Sequence, residues 1–138
     1  MYGNNHCVLP YLPRSGYETK YGDLCNEKVV RNALEGITDV VLLAGLVGDP
    51  ITKKYKEESK KINDDGIKTC INQLNGLGIK SFVFVSTCSN YGLIESEQLA
   101  DENFELKPLS LYAHSKVATE KYIMSLRGKV DYTPTILR

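Results

Sequence analysis

Apolar residues in this chain gather into short unbroken runs, separated by longer stretches where they recur every three to five positions. The runs are Val40-Val41-Leu42-Leu43-Ala44 and Phe82-Val83-Phe84-Val85, the latter preceded by Ser81. Runs of this length, with no polar alternation, predict strands covered on both faces, as in a parallel sheet. Thr133 to Leu137 reads as a last strand, and Tyr17 to Tyr21 as a short one ending at Gly22-Asp23.

Helical spacing fills the intervals. Asn26 is placed to cap a helix running to about Glu35, with Val29, Val30, Ala33 and Leu34 on its buried side and Gly36 as terminator. Ile62, Ile67, Ile71 and Leu74 form an apolar stripe in a helix from about Lys53 to Leu77, closed by Gly76 and Gly78. Leu109 to Leu126 predicts a third helix, and the polar stretch from Glu95 to Pro108 is expected to cover the surface. The first sixteen residues, broken by Gly3, Pro10, Pro13 and Gly16, predict no regular element. Strands alternating with helices indicate an α/β fold with a parallel sheet and right-handed crossovers. Ligands of such sheets sit beyond the carboxyl ends of the strands, and three loops fall there: Gly22-Asp23, Ala44-Gly45-Leu46 and Ser86-Thr87.

Composition narrows the picture. The 138 residues, 42% hydrophobic, suffice for one globular domain spanning the whole chain. Lys+Arg and Asp+Glu both number 17, so no basic surplus points to nucleic acid or an anionic membrane as partner. Cys7, Cys25, Cys70 and Cys88 form no CxxC pair, which argues against a metal site, and no basic-then-apolar leader precedes them, which fits reduced thiols in a cytoplasmic protein. The longest apolar stretch, Val40 to Val47, is far short of the ~20 residues of a membrane span.

The candidate chemistry lies in Tyr112-Ala-His-Ser-Lys116, which follows Thr87 by 25 residues. Side chains four apart on a helix share a face, so a lysine ammonium can stand beside the phenol. A phenol titrates near ~10, and a neighbouring cation is expected to bring it toward the working range. The hydroxyl of Thr87, in Ser86-Thr87-Cys88-Ser89-Asn90-Tyr91-Gly92, could then hold a substrate oxygen against the same phenol. Cys88 reads as a small buried thiol and His114 as a surface residue.

Together these motifs resemble the extended short-chain dehydrogenase/reductases of the NAD-dependent nucleotide-sugar epimerase/dehydratase group, over essentially the whole chain. The resemblance implies a doubly wound (Rossmann) parallel sheet and NAD as cofactor. By it, Tyr112 is the acid/base, Lys116 lowers its pKa and holds the nicotinamide ribose, and Thr87 anchors the sugar hydroxyl. Asp23 would meet the adenine with Leu24 beside it. Ala44, Gly45, Leu46, Asn63 and Ser86 would also lie against the cofactor. The substrate would be a nucleotide sugar, and pairing through the helix of Tyr112 and its predecessor makes a homodimer plausible.

Two departures qualify the expectation. Relatives that eliminate water carry Asp-Glu after the reactive Thr, whereas here Cys88-Ser89 follow, which favours epimerisation or plain oxidation-reduction over dehydration. The Gly-x-x-Gly-x-x-Gly turn that holds the pyrophosphate is missing, since the glycines before residue 36 are Gly3, Gly16 and Gly22. The chain therefore reads as a partial Rossmann domain without its first βαβ unit and substrate lobe, binding NAD weakly and without turnover. The alternatives are a non-catalytic remnant that binds a partner, and a sugar-nucleotide dehydratase or reductase.

Overall fold

The computed structural model describes residue 16, residues 18–95 and residues 97–138. The irregular opening expected for the first sixteen residues falls outside these, Gly16 excepted. Three parallel strands, β1 (Asp39–Leu42), β2 (Ser81–Val85) and β3 (Thr133–Leu137), form one sheet in the order β1-β2-β3. Val40 pairs with Phe82 and Phe82 with Pro134, and two residues on, Leu42, Phe84 and Ile136 lie side by side. The period of two puts these six positions on one face, against the helices.

That face is the core. Phe82 and Phe84 are fully buried among Ile71, Leu74 and Ile123, and the Tyr132 ring meets Phe82 edge-on at 5.7 Å between centroids. Each aromatic side chain removed from water contributes roughly 1.5–3 kcal/mol. The opposite face departs from expectation: Val41 is 59% exposed and Leu43 68%. The apolar run was expected to be covered on both sides, but the cluster of helical side chains lies on the Phe82 side alone. Residues 18–21 are likewise not a strand, since no neighbouring strand pairs with them among the described residues.

Helix α1 (Glu27–Leu34) starts at Asn26, whose Oδ1 accepts the Lys28 and Val29 amides. The single helix expected over Lys53 to Leu77 begins earlier and is broken. It comprises α2 (Asp49–Lys54), α3 (Lys56–Lys60), a π-helical turn (Lys61–Gly66) and α4 (Ile67–Gln73). Pro50 in the first turn of α2 favours the early start, and Tyr55, in non-helical backbone, breaks the run. The π turn inserts a residue and brings Asn63 and Gly66 to the buried side. Gly66 is close-packed there: a Cβ would lie 3.0 Å from the Cys25 sulfur, which would have to give by a few tenths of an ångström. Helix α5 (Leu111–Ser125) is capped by Ser110, whose Oγ accepts the Ala113 amide at 3.1 Å. Among the described residues no helix is long and apolar enough to cross a membrane.

Candidate active site

The carboxyl ends of β1 and β2 and the start of α5 converge on one cleft. At the end of β2 the Ser86 amide donates to the Leu137 carbonyl at 2.6 Å, so the parallel pairing runs to the rim. Thr87 is extended, and its Oγ1 accepts the Ser89 amide at 3.2 Å, opening the 3₁₀ turn Cys88–Tyr91. Gly92 ends that turn at φ 73°, where a Cβ would collide with the Lys107 carbonyl. The Lys107 amide in turn donates to Asn90 O at 2.9 Å. The loop bearing Thr87 is thus held at both ends by backbone contacts.

Helix α5 presents Tyr112 in its first turn and Lys116 one turn later. Thr87, Tyr112, Ser89 and Ser110 line an open cleft of about 540 Å³, with Gly48 and Leu109 among its other walls. Lys116 is buried beside it. Its ammonium donates to the Val85 carbonyl at 2.7 Å and stands 4.5 Å from the Phe84 ring centre and 5.7 Å from that of Tyr112. The structure therefore brings Thr87 and Tyr112 to a common cleft, with the lysine against the tyrosine ring.

The electrostatics differ from expectation. Burial pushes the Tyr112 phenol above its ordinary value and the Lys116 ammonium below its own, the latter partly offset by the carboxylate of Glu120. Desolvation favours the neutral form of each group, and the ammonium is engaged by a backbone carbonyl. The lowering expected of the phenol is absent from this arrangement.

The loop after β1 is fixed from below. Asn63 accepts the Leu46 amide at 2.8 Å and donates to the Leu46 carbonyl at 3.0 Å, so its amide pairs with both polar groups of one peptide residue. Gly45, at φ 147°, passes so near that a Cβ would sit 3.0 Å from Asn63 Oδ1. Ala44 is partly buried against the core. Asp23 is exposed. Its Oδ1 accepts the Cys25 amide at 2.9 Å, which holds the carboxyl below its usual range. Leu24 and Cys25 pack on Gly66, so one π turn braces both the Asp23 loop and the Ala44–Leu46 loop. Ser86 is buried, and its hydroxyl donates to Glu120.

Cys88 is exposed, not buried as expected, because its position opens the 3₁₀ turn at the surface. His114 is exposed, as expected. Sequence reasoning missed Glu120, a buried carboxylate joining Ser86, Asn90 and Arg138. The signal was present: Tyr112, Lys116 and Glu120 recur every four residues and share one face. The hydroxyls of Ser89 and Ser110 in the cleft wall were also overlooked.

The buried Lys116 ammonium, the Ala44–Leu46 loop held by Asn63 and the Tyr112 cleft all lie at the carboxyl ends of β1 and β2, and Asp23 presents an exposed carboxylate. The glycine-rich turn for a pyrophosphate is absent from the sequence.

A family model described as "NAD dependent epimerase/dehydratase family" matches residues 3–138. The chain is 26% identical over 129 residues to a 3-beta-hydroxysteroid dehydrogenase of Mycolicibacterium neoaurum, covering 88% of this chain and 34% of that protein. It is 28% identical over 124 residues to an N-acetyl-alpha-D-glucosaminyl-diphospho-ditrans,octacis-undecaprenol 4-epimerase of Escherichia coli O157:H7, covering 87% of this chain and 36% of that protein. Among solved structures, the UDP-glucose 4-epimerase of Thermus thermophilus in complex with NAD superposes with a TM-score of 0.77 at 24% identity, covering 85% of this chain and 39% of that one. The chain spans about a third of the length of the curated relatives it matches.

Proposed function

Because the chain belongs to the NAD-dependent epimerase/dehydratase family, we propose that its cleft is the proton-handling half of a site for nucleotide-sugar epimerisation. The observation that carries this reading is the convergence of Thr87 and Tyr112 on one cleft, with Lys116 against the Tyr112 ring. Lys116, Ala44, Gly45 and Leu46 would hold the nicotinamide riboside, Asn63 would act through Leu46, and Asp23 with Leu24 would meet the adenine. Bound NAD would supply the hydride acceptor and donor.

The chain's own side chains do the rest. Thr87 donates a hydrogen bond to a secondary alcohol and fixes its oxygen at Tyr112. In its phenolate form Tyr112 takes the hydroxyl proton as the carbon is oxidised, and the resulting phenol returns it when the carbonyl is reduced. A phenol raised by burial needs a local cation to make that transfer accessible, and Lys116 is the cation within reach.

The hydroxyl lining of Thr87, Ser89 and Ser110 favours a sugar over the apolar alcohol suggested by the steroid dehydrogenase name. Cys88-Ser89 supply no acid–base carboxyl pair, which favours epimerisation over dehydration. A second reading, a protein that binds without turning over, is favoured by the phenol that burial keeps neutral and by the Lys116 ammonium held by the Val85 carbonyl.

Incubation with NAD and UDP- or dTDP-hexoses, followed by chromatography of the products, tests the proposal. Conversion that falls at least about a hundredfold in Tyr112→Phe supports it. Conversion at full rate in that variant overturns it, and a wild-type chain that binds nucleotide without conversion supports the second reading.

A further inference from the structure

The deepest charged group near the cleft is one the proposed chemistry leaves unused. Glu120 lies on α5 one turn beyond Lys116 and is only 3% exposed. Its Oε1 accepts from the Ser86 hydroxyl and from Asn90 Nδ2, the latter at 2.6 Å. Its Oε2 accepts from Arg138 Nε at 3.0 Å and lies 2.8 Å from Nη2. Asn90 Nδ2 also donates to Ser86 Oγ at 2.9 Å, and Arg138 Nη1 donates to the Glu102 carbonyl at 2.9 Å. One carboxylate therefore joins helix α5, the loop that follows β2, and the residue that follows β3.

A charge in so dry a place is costly unless each oxygen is matched, and here both are. The four donors reach Glu120 from either side of Thr87 and from beyond β3. Ser86 precedes Thr87 directly, and Asn90 lies inside the turn that Thr87 opens, its amide donating to the Thr87 carbonyl at 3.2 Å. Tyr112, Lys116 and Glu120 stand on one face of one rigid helix, so anchoring the loop to Glu120 fixes Thr87 relative to the phenol.

We propose that Glu120 is a positioning residue, whose carboxylate locks the Thr87 loop to the helix carrying Tyr112 and Lys116 and uses Arg138 as its counter-ion. This rests on reading the cleft as the reactive site, but the lock is measurable without any reaction. The same carboxylate favours the ammonium form of Lys116 against the desolvation that opposes it.

The test is Glu120→Gln in the full chain. A glutamine offers one oxygen where the carboxylate offers two, so either the Ser86 and Asn90 donors or the Arg138 donors must face an amide NH₂ group. Amide exchange by NMR at Ser89, Asn90 and Gly92 is expected to accelerate by about tenfold or more, with α4 amides such as Ile71 unchanged. The Lys116 side-chain resonance is expected to titrate at lower pH than in the wild type, with Tyr112 and Glu120 the titratable groups on its face. A purely structural role elsewhere would leave that resonance in place.

Unchanged exchange across the loop overturns the proposal, as does equal acceleration in loop and α4. Should Glu120→Gln fail to fold, Ser86→Ala removes a single donor and carries the same readout: acceleration confined to 88–92 supports the lock, and none overturns it. Neither measurement uses NAD or a sugar, so failure of the lock and failure of the epimerase reading are separable.

Discussion

Replacing Asn63 by alanine removes the support of the loop after β1. The side chain is 7% exposed, and its amide makes two bonds to Leu46, at 2.8 and 3.0 Å. Each bond contributes roughly 1 kcal/mol net, and a part-buried peptide group left unpaired costs roughly 1–3 kcal/mol. Ala44, Gly45 and Leu46 are only half-buried, which moderates the second contribution. The expected loss is therefore about 2–4 kcal/mol, read as a lowered urea midpoint with an unchanged slope. Asn63→Asp sharpens the reading: it keeps an acceptor for the Leu46 amide but sets a carboxylate against the Leu46 carbonyl, and so is expected to be no better than alanine. A loss below about 0.5 kcal/mol for Asn63→Ala would refute the view that this amide holds the loop.

Gly92→Ala forces a Cβ into the Lys107 carbonyl at a positive φ, and is expected to cost about 2 kcal/mol or more in the same denaturation assay. Tyr132, buried and with no hydrogen-bond partner for its hydroxyl among the described residues, has its phenol pushed up to about 12 by burial. The folded chain keeps that proton where the unfolded chain releases it near pH 10, so this contribution is intact below pH 10 and is lost as pH rises through about 12. Urea midpoints measured between pH 9 and 12 are expected to fall with pH, and less steeply in Tyr132→Phe. Cys88, exposed, is expected to react with a thiol reagent in the native state, whereas Cys70, buried and raised to about 11, reacts only on unfolding. Peptide mapping after brief labelling distinguishes them.

Strands with strong apolar runs were legible because a parallel sheet rewards them directly: β2 and β3 lie where the pattern put them, and β1 is shorter at its carboxyl end. Caps were legible too, and Asn26 does what its side chain is suited to do. What the runs did not disclose is coverage. Val41 and Leu43 read as buried, but burial depends on what packs across the sheet, and the described helices gather on the other face. The segment at residues 18–21 failed for a related reason, since a strand exists only with a partner. The π turn was invisible because its sequence, KINDDG, carries no breaker stronger than its final glycine.

At the candidate site, spacing alone put Tyr112 and Lys116 on one helix face, while Thr87 was joined to them by the family resemblance. The hydrogen bonds that fix these groups were not legible. Glu120 looked like an ordinary polar helix position until the fold set Ser86 and Arg138 opposite it, and Asn63, expected against the cofactor, was not seen to pair with Leu46. The direction of the phenol shift was misjudged for the same reason: sequence shows the neighbouring cation but not the depth at which both groups lie.

Thr87, Tyr112 and Lys116, with the Ala44–Leu46 loop, are proposed to form one nicotinamide-binding, proton-moving site. A titration of ¹⁵N-labelled protein with NAD into the millimolar range tests it most directly. The account predicts fast-exchange shifts concentrated at Ala44, Gly45, Leu46, Thr87 and Tyr112, weakened when Lys116 is replaced by methionine. Shifts confined to residues remote from that cleft, or none at saturating NAD, would contradict it.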